Sequence, residues 1–459
     1  MAKRRVVLAV VGVSGTVVVI AVATLLLATR PSRDPVQLYA RLIPSWQIFR
    51  YQEPRGSDSP AARAMLRAAR VWPPLAEELR RLDQSYPDDV PPAVARANLA
   101  ARAASVPYWL EIQTVKGRPV LLSHRVERIR HWRSGDRQIE VLHLRRQDNL
   151  NIEMGLVGQA SSNGPLVFRD RIEEAWVDDL ARAVLEGQEV EERDAAVNET
   201  GRTLIADLAR EQVGAVLSEL VKKTSERLVR FNIMLHRMQV AVPQPSGLLW
   251  SERWFEYMEA QTKFAGGHGP LVFDSDLREV RRADQALRKP EYVQAMATLV
   301  GLRAETVEAH EARHALDEAS PPLPPVLRAW PDPDFAVQIN QELRAYLGEL
   351  HDAARASCLS IVELTRAAYA PKARPTPHFF AGRIIVHALS GHALPEAQPS
   401  PGKDASALPA GAAAIVDPIN FMRSECAAKP ADLHARVAEL WRKLFGETMP
   451  EIRRNDGDS

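Results

Sequence analysis

The stretch Leu302-Arg303-Ala304-Glu305-Thr306-Val307-Glu308-Ala309-His310-Glu311-Ala312-Arg313-His314-Ala315-Leu316-Asp317-Glu318-Ala319 decides how this chain reads. Leu302, Ala309, Ala312 and Leu316 recur at helical spacing and form one apolar stripe, so the stretch reads as a helix. Gly301 marks its start and Pro321 its limit. His310 and His314 are four residues apart. That spacing puts both imidazoles on one face, one turn apart, where they can bind a single Zn²⁺. Glu311 lies about 100° around the helix, beside such an ion rather than on it. There it could take a proton from the attacking water and later deliver it to a leaving amine. The same polar face carries Arg303, Thr306, Arg313 and Asp317. It reads equally as a solvated surface with i,i+4 pairs such as Arg313–Asp317.

A catalytic zinc site needs three protein ligands and one open position. Beyond the proline-rich loop Pro321–Pro333, residues Phe335 to Leu350 read as a long amphipathic helix with Glu342 near its middle. Glu342 is the expected third ligand, because the loop lets this helix fold back and the next turn carries small Ala345. Glu349, two turns on along the same face, is the alternative, and His351, His387 and His392 are the histidine candidates. Asp317 could hold an imidazole in its tautomer. Tyr346, His387 and His392 could stabilise an oxyanion. His268 sits in the Gly266-Gly267-His268-Gly269-Pro270 loop and could line a cleft.

His310-Glu311-x-x-His314 followed by a helical Glu342 resembles the gluzincin group of zinc metallopeptidases. The resemblance covers residues 300–350. It implies His310, His314 and Glu342 as Zn²⁺ ligands, Glu311 as catalytic base, and a zincin-like catalytic region. The chain departs from that group in having charged Glu308 and Arg313 around the motif. Tyr346 also stands where an acid or a small residue is usual. The further Gly and third His of the metzincin motif are absent.

The remaining sequence sets the frame. Lys3-Arg4-Arg5 precedes an uncharged run from Val6 to Ala28. At 1.5 Å per residue that run is about 34 Å long, against a bilayer core of about 30 Å. It reads as one N-terminal transmembrane helix, with the N-terminus in the cytoplasm by the positive-inside rule. The competing reading, a signal peptide cut after Ala21-Val22-Ala23, leaves Leu25-Leu26-Leu27 unexplained. The net charge of +1 over 459 residues gives no reason to expect nucleic acid. Cys358 and Cys426 are the two cysteines, and outside the cytoplasm they could form a structural pair.

Short strands are expected at Tyr108–Val115, Pro119–Trp132, Gln138–Leu144, Asn151–Val157 and Leu166–Phe168, with turns between them. Helical periodicity is read at 171–187, 196–239, 251–264, 277–288, 290–300, 303–319, 334–369 and 431–446. The expected organisation is a cytoplasmic tail at 1–5, the anchor at 6–28, and a stalk with helical pieces at 29–105. A β-rich region follows at 106–170, then a helical metallopeptidase-like domain at 171–392, a linker at 393–416 and a C-terminal helical tail at 417–459. The fold class expected is α+β, predominantly α-helical, with a small antiparallel β region and the N-terminal transmembrane helix. The function expected is that of a membrane-anchored metallopeptidase, bound to the inner (cytoplasmic) membrane with its body periplasmic or extracellular. It would act on envelope proteins or peptides. The alternative is a non-catalytic envelope scaffold or binding protein.

Overall fold

The computed structural model describes residues 34–52, 73–86, 88–115, 117–148, 157–161, 164–184, 193–238, 245, 247–262, 272–317, 322–328, 330–370, 375–392 and 417–455. Five strands form the path of one sheet: β1 (Tyr108–Val115), β2 (Arg118–Ser134), β3 (Arg137–Arg146), β4 (Gly158–Ser161) and β5 (Gly164–Phe168). Their order is β1-β2-β3-β5-β4, and a sixth strand, β6 (Arg453–Asn455), pairs with β2. Gly117 and Gly135 have positive φ, which a two-residue hairpin turn requires and which a glycine adopts without strain.

Side chains alternate across the sheet, as the pleat dictates. Tyr108, Leu110 and Leu121 face three N-terminal helices, α1 (Pro35–Gln52), α2 (Pro73–Ser85) and α3 (Val90–Ala103), and join Trp46 and Tyr86 in one core. Trp109, Leu122, Leu142, Leu144, Leu166 and Phe168 form a cluster made of strand residues alone, as a curled sheet allows. The α2 helix begins at Pro73-Pro74, which reads as a break. A helix start tolerates prolines because its first N–H groups have no intrahelical acceptor.

The helices that follow are α4 (Arg169–Val184), α5 (Arg193–Val213), α6 (Val216–Arg237), α7 (Glu252–Thr262), α8 (Asp274–Ala286) and α9 (Pro290–Leu316). After them come α10 (Pro333–Asp352), α11 (Ser357–Tyr369), α12 (Pro377–Leu389), α13 (Pro418–Ala427) and α14 (Pro430–Phe445). The α9 helix runs through the middle, against β3, β4 and β5 on one side and α10 on another. The two segments expected at 290–300 and 303–319 are this one helix. A Cβ at Gly301 would meet nothing within 4 Å, so that glycine sits in open space and lets the helix continue.

The expected fold class is corrected. The molecule is mostly helical, but its sheet is a curled half-barrel of six strands rather than a small antiparallel region. The β3–β5 pairing is parallel, because the chain between them crosses back through β4. β2 alone is 17 residues long and bends at a register shift between Val126 and Arg128. No helix among the described residues is long and apolar enough to cross a membrane. The expected anchor at 6–28, the linker at 393–416 and His268 lie outside the described residues.

Residues 417–455 pack into the main core rather than forming a tail. Trp441 is fully buried, β6 adds to β2, and Cys358 on α11 is disulfide-bonded to Cys426 on α13.

Candidate metal centre

From Leu302 to Arg313 α9 is covered on its polar side as well as its apolar one, which settles how that side is to be read. Arg303, Thr306, Glu308 and Arg313 are all buried, so this is not a solvated surface. Each charge is met by a partner, as burial requires. Arg303 bonds Glu363 at 2.7 Å and Asp179 at 3.3 Å. Glu308 pairs with His143 of β3 at 2.8 Å. Arg313 donates to Asp352 at 2.8 Å and to the Pro450 carbonyl at 2.9 Å. Of the two charged residues that depart from the gluzincin pattern, Arg313 is paired with a carboxylate of its own, and Glu308 is met by the His143 ring and the Trp132 indole N–H.

The face between those pairs carries the histidines. His310 Nε2 and His314 Nε2 are 3.2 Å apart. Glu342 of α10 brings Oε2 to 3.3 Å from the first and 3.5 Å from the second. The three atoms thus form a nearly equilateral triangle. A four-coordinate ion with ligand bonds of about 2.0–2.2 Å spaces its ligands by about 3.3–3.6 Å. The buried Oε2 is ringed by three imidazole nitrogens at 2.9, 3.3 and 3.5 Å, none of them aligned as a hydrogen-bond donor to it. Converging donors around an unbonded buried oxygen fit a cation better than they fit one another.

Local sequence explains how these side chains arrive. Asp332 caps α10 by accepting from the Asp334 and Phe335 amides, with Pro333 at the first turn. That fixes the start of α10, and Glu342 falls two and a half turns in, opposite His310. Glu349, the alternative ligand, reaches the other side of the same imidazole: its Oε2 is 3.0 Å from His310 Nδ1. It therefore orients His310 rather than joining the triangle, and leaves Nε2 to face inward.

Reading the sequence did not reveal His378. It sits in the first turn of α12, where Thr376 caps the helix through the Phe379 amide. Its Nδ1 is 2.9 Å from Glu342 Oε2 and 3.3 Å from the Tyr346 hydroxyl. His310, Glu342 and His378 form a group that could hold a metal ion, their ligand atoms lying within 4.8 Å of one another. Two triads thus share His310 and Glu342. The one completed by His314 has the even edges of a coordination shell. The His378 contact is a hydrogen-bond length, and that ring is 48 % exposed on the open side. No spacing rule links residue 378 to residue 310, and no helix was expected at 377–389, so only the fold could supply it.

The other expected residues divide cleanly. Tyr346 packs edge-on against His310 with ring centroids 4.7 Å apart, inside the site. Asp317 lies away from His314 and pairs with Arg344 at 2.8 Å. His387 stacks near His392 at 4.9 Å, nine residues (about 13.5 Å) along α12 from His378. His351 bonds Asp352 at 2.8 Å and neighbours His434.

The charges follow from burial and neighbours. Burial raises the Glu342 carboxyl, but His310, His314 and His378 outweigh it and hold the group well below the usual carboxylate range. Burial pushes Glu311 up, and His310 and His314 only partly oppose it. Burial raises the Tyr346 phenol well above its ordinary value, with Glu349 and Glu342 adding to the effect, so it stays a hydrogen-bond donor. Burial lowers the His310 imidazole, but Glu342 and Glu349 reverse that and raise it well above its ordinary value. No known protein family, curated protein or solved structure matches this chain.

Proposed function

We propose that the chain is a zinc-dependent metallopeptidase of the gluzincin kind that hydrolyses proteins or peptides outside the cytoplasm. The observation that carries this reading is the triangle of His310, His314 and Glu342, with edges of 3.2, 3.3 and 3.5 Å. These three residues would hold the ion, and Glu349 would orient His310. Two imidazole nitrogens and one carboxylate oxygen suit Zn²⁺. When bound, zinc supplies a Lewis acid that polarises the scissile carbonyl and makes water acidic at neutral pH.

The chain's own groups supply the rest. Glu311, beside the cluster with its basicity raised by burial, would take the proton of the attacking water. It would then hand that proton to the leaving amine nitrogen as the C–N bond breaks. His378 stands on the open side with the Tyr346 hydroxyl 3.3 Å from its ring, and the two could donate to the carbonyl oxygen as it gains negative charge. β4 is an edge strand beside α9, and no described strand pairs with its other side. Such an edge could bind an extended peptide by backbone hydrogen bonds. The Cys358–Cys426 disulfide supports an oxidising compartment.

The test is the zinc content and the proteolytic activity of purified protein. Wild type should carry one zinc and His310→Ala none; equal metal in both would end the reading. Glu311→Gln should keep zinc and lose hydrolysis of an unfolded protein substrate. Zinc in wild type without any hydrolysis would favour the binding protein instead.

A further inference from the structure

We infer that Gly158 of β4 is the positioning residue for Glu311, and that its missing side chain is what the proposed chemistry requires at that place. This rests on the metallopeptidase reading and deepens it. Gly158 pairs with Val167 of β5, and the Phe168 amide donates to the Val157 carbonyl at 2.9 Å. The β4 backbone is therefore pinned to the sheet at this point. Gly158 is not among the glycines with positive φ, so its backbone is one that any residue can adopt. The need for glycine there is one of space.

A Cβ at Gly158 would lie 2.8 Å from Glu311 Oε1 and 3.0 Å from Glu311 Cγ, and would collide with Val307 Cγ1. Val307 and Glu311 are one turn apart on α9, so the bare strand backbone rests on that turn. Among the described residues no hydrogen bond holds the Glu311 carboxylate. Its placement is set by shape: its own helix on one side, β4 on the other, and the histidine cluster ahead. A methyl group at Gly158 would turn the carboxylate away or lift β4, and the two cases can be told apart.

The experiment compares full-length wild type, Gly158→Ala, Val307→Ala, the Gly158→Ala/Val307→Ala double variant and Glu311→Gln. Zinc content, thermal midpoint, kcat and KM on an unfolded protein substrate are measured for each, with a crystal structure of the double variant. Zinc should be unchanged throughout. Gly158→Ala should lower kcat by about 10- to 100-fold, since displacing a catalytic group by about 1 Å costs that much, with little change in KM. Removing the Val307 methyls relieves the collision with the helix but not the one with Glu311. The double variant should therefore recover the thermal midpoint lost by Gly158→Ala and stay slow, with the Glu311 side chain displaced in its crystal structure. A wild-type kcat in Gly158→Ala, or recovery of kcat together with stability in the double variant, would overturn the inference. Wild type without zinc, or active Glu311→Gln, would overturn the metallopeptidase reading itself and this inference with it.

Discussion

At the scale of single residues, the site is a set of carboxylates with different tasks. Glu342 and Glu349 lie on one helix seven residues apart, and both reach His310, from opposite edges of its ring. The first meets Nε2 and the second Nδ1, so on the proposed reading one would bind the ion and the other would orient the ring. Removing the orienting group frees the imidazole to rotate or to take the wrong tautomer. Glu349→Gln should weaken zinc binding by about 10- to 100-fold in competition with a chelator. Asp317→Ala should leave zinc affinity within about twofold, because Asp317 is engaged with Arg344 at 2.8 Å and not with His314. Equal losses in the two variants would show that charge alone, not contact with the imidazole, sets the affinity. Both acids were legible from the helical period. Which of them faces Nε2 was not, because i, i+4 and i+7 positions share a face and only the placement of the neighbouring helix separates them.

At the scale of elements, α9 departs from the amphipathic surface helix its apolar stripe suggests. Its polar side faces sheet and helices and is neutralised pair by pair. Arg313 shows the cost of that arrangement most directly: its side chain is fully buried, lies over Gly348 of α10, and a Cβ there would sit 2.5 Å from Arg313 Nε. Arg313→Ala takes the guanidinium from Asp352, leaving it only His351, and opens space between α9 and α10. Breaking a buried pair of this kind costs about 3–5 kcal/mol. The exposed pair Arg210–Asp207 is the control, and Arg210→Ala should change stability by less than about 0.5 kcal/mol in the same denaturant titration. Similar losses in the two would contradict the buried network. The bounds of β1 were legible to the residue from its aromatic and β-branched composition and the turn at Gly117, although its first four residues are buried on both faces. β4 lies just past the strand expected at Asn151–Val157 and runs into the turn expected from Ser161: four residues, Gly158-Gln159-Ala160-Ser161, hold too little pattern to register. Helix α12 was illegible for a different reason. Phe379-Phe380-Ala381 and Ile384-Ile385-Val386 are two short apolar runs on either side of Gly382-Arg383, too short to show a face to a periodicity reading.

At the scale of the whole molecule, the C-terminal helix α14 packs against α10, the helix that carries Glu342. Arg344 of α10 lies 4.5 Å from the Trp441 ring and 4.6 Å from that of Phe445, both on α14. The Cys358–Cys426 bridge closes a 68-residue separation, which corresponds to about 4 kcal/mol of stabilisation by restriction of the unfolded chain. Replacing both cysteines by serine should lower stability by about that amount while leaving zinc content unchanged; an equal loss of zinc would show that the bridge shapes the site directly. Zinc at a hundredfold excess over its dissociation constant should in turn stabilise the wild-type fold by about 2.7 kcal/mol, and His310→Ala should abolish that gain. By itself the sequence determined what is local: the helix bearing His310, Glu311 and His314, the capped helix bearing Glu342, and the hairpins turning at Gly117 and Gly135. Those follow from periodicity, caps and turn residues within a few positions of one another. Only the tertiary structure decided which acid faces Nε2, that His378 and Tyr346 complete the open side, that Gly158 bears on Glu311, and that the sheet curls and is extended by residues 453–455. Each of these depends on contacts between residues tens to hundreds of positions apart. No local pattern encodes them, and packing alone fixes them.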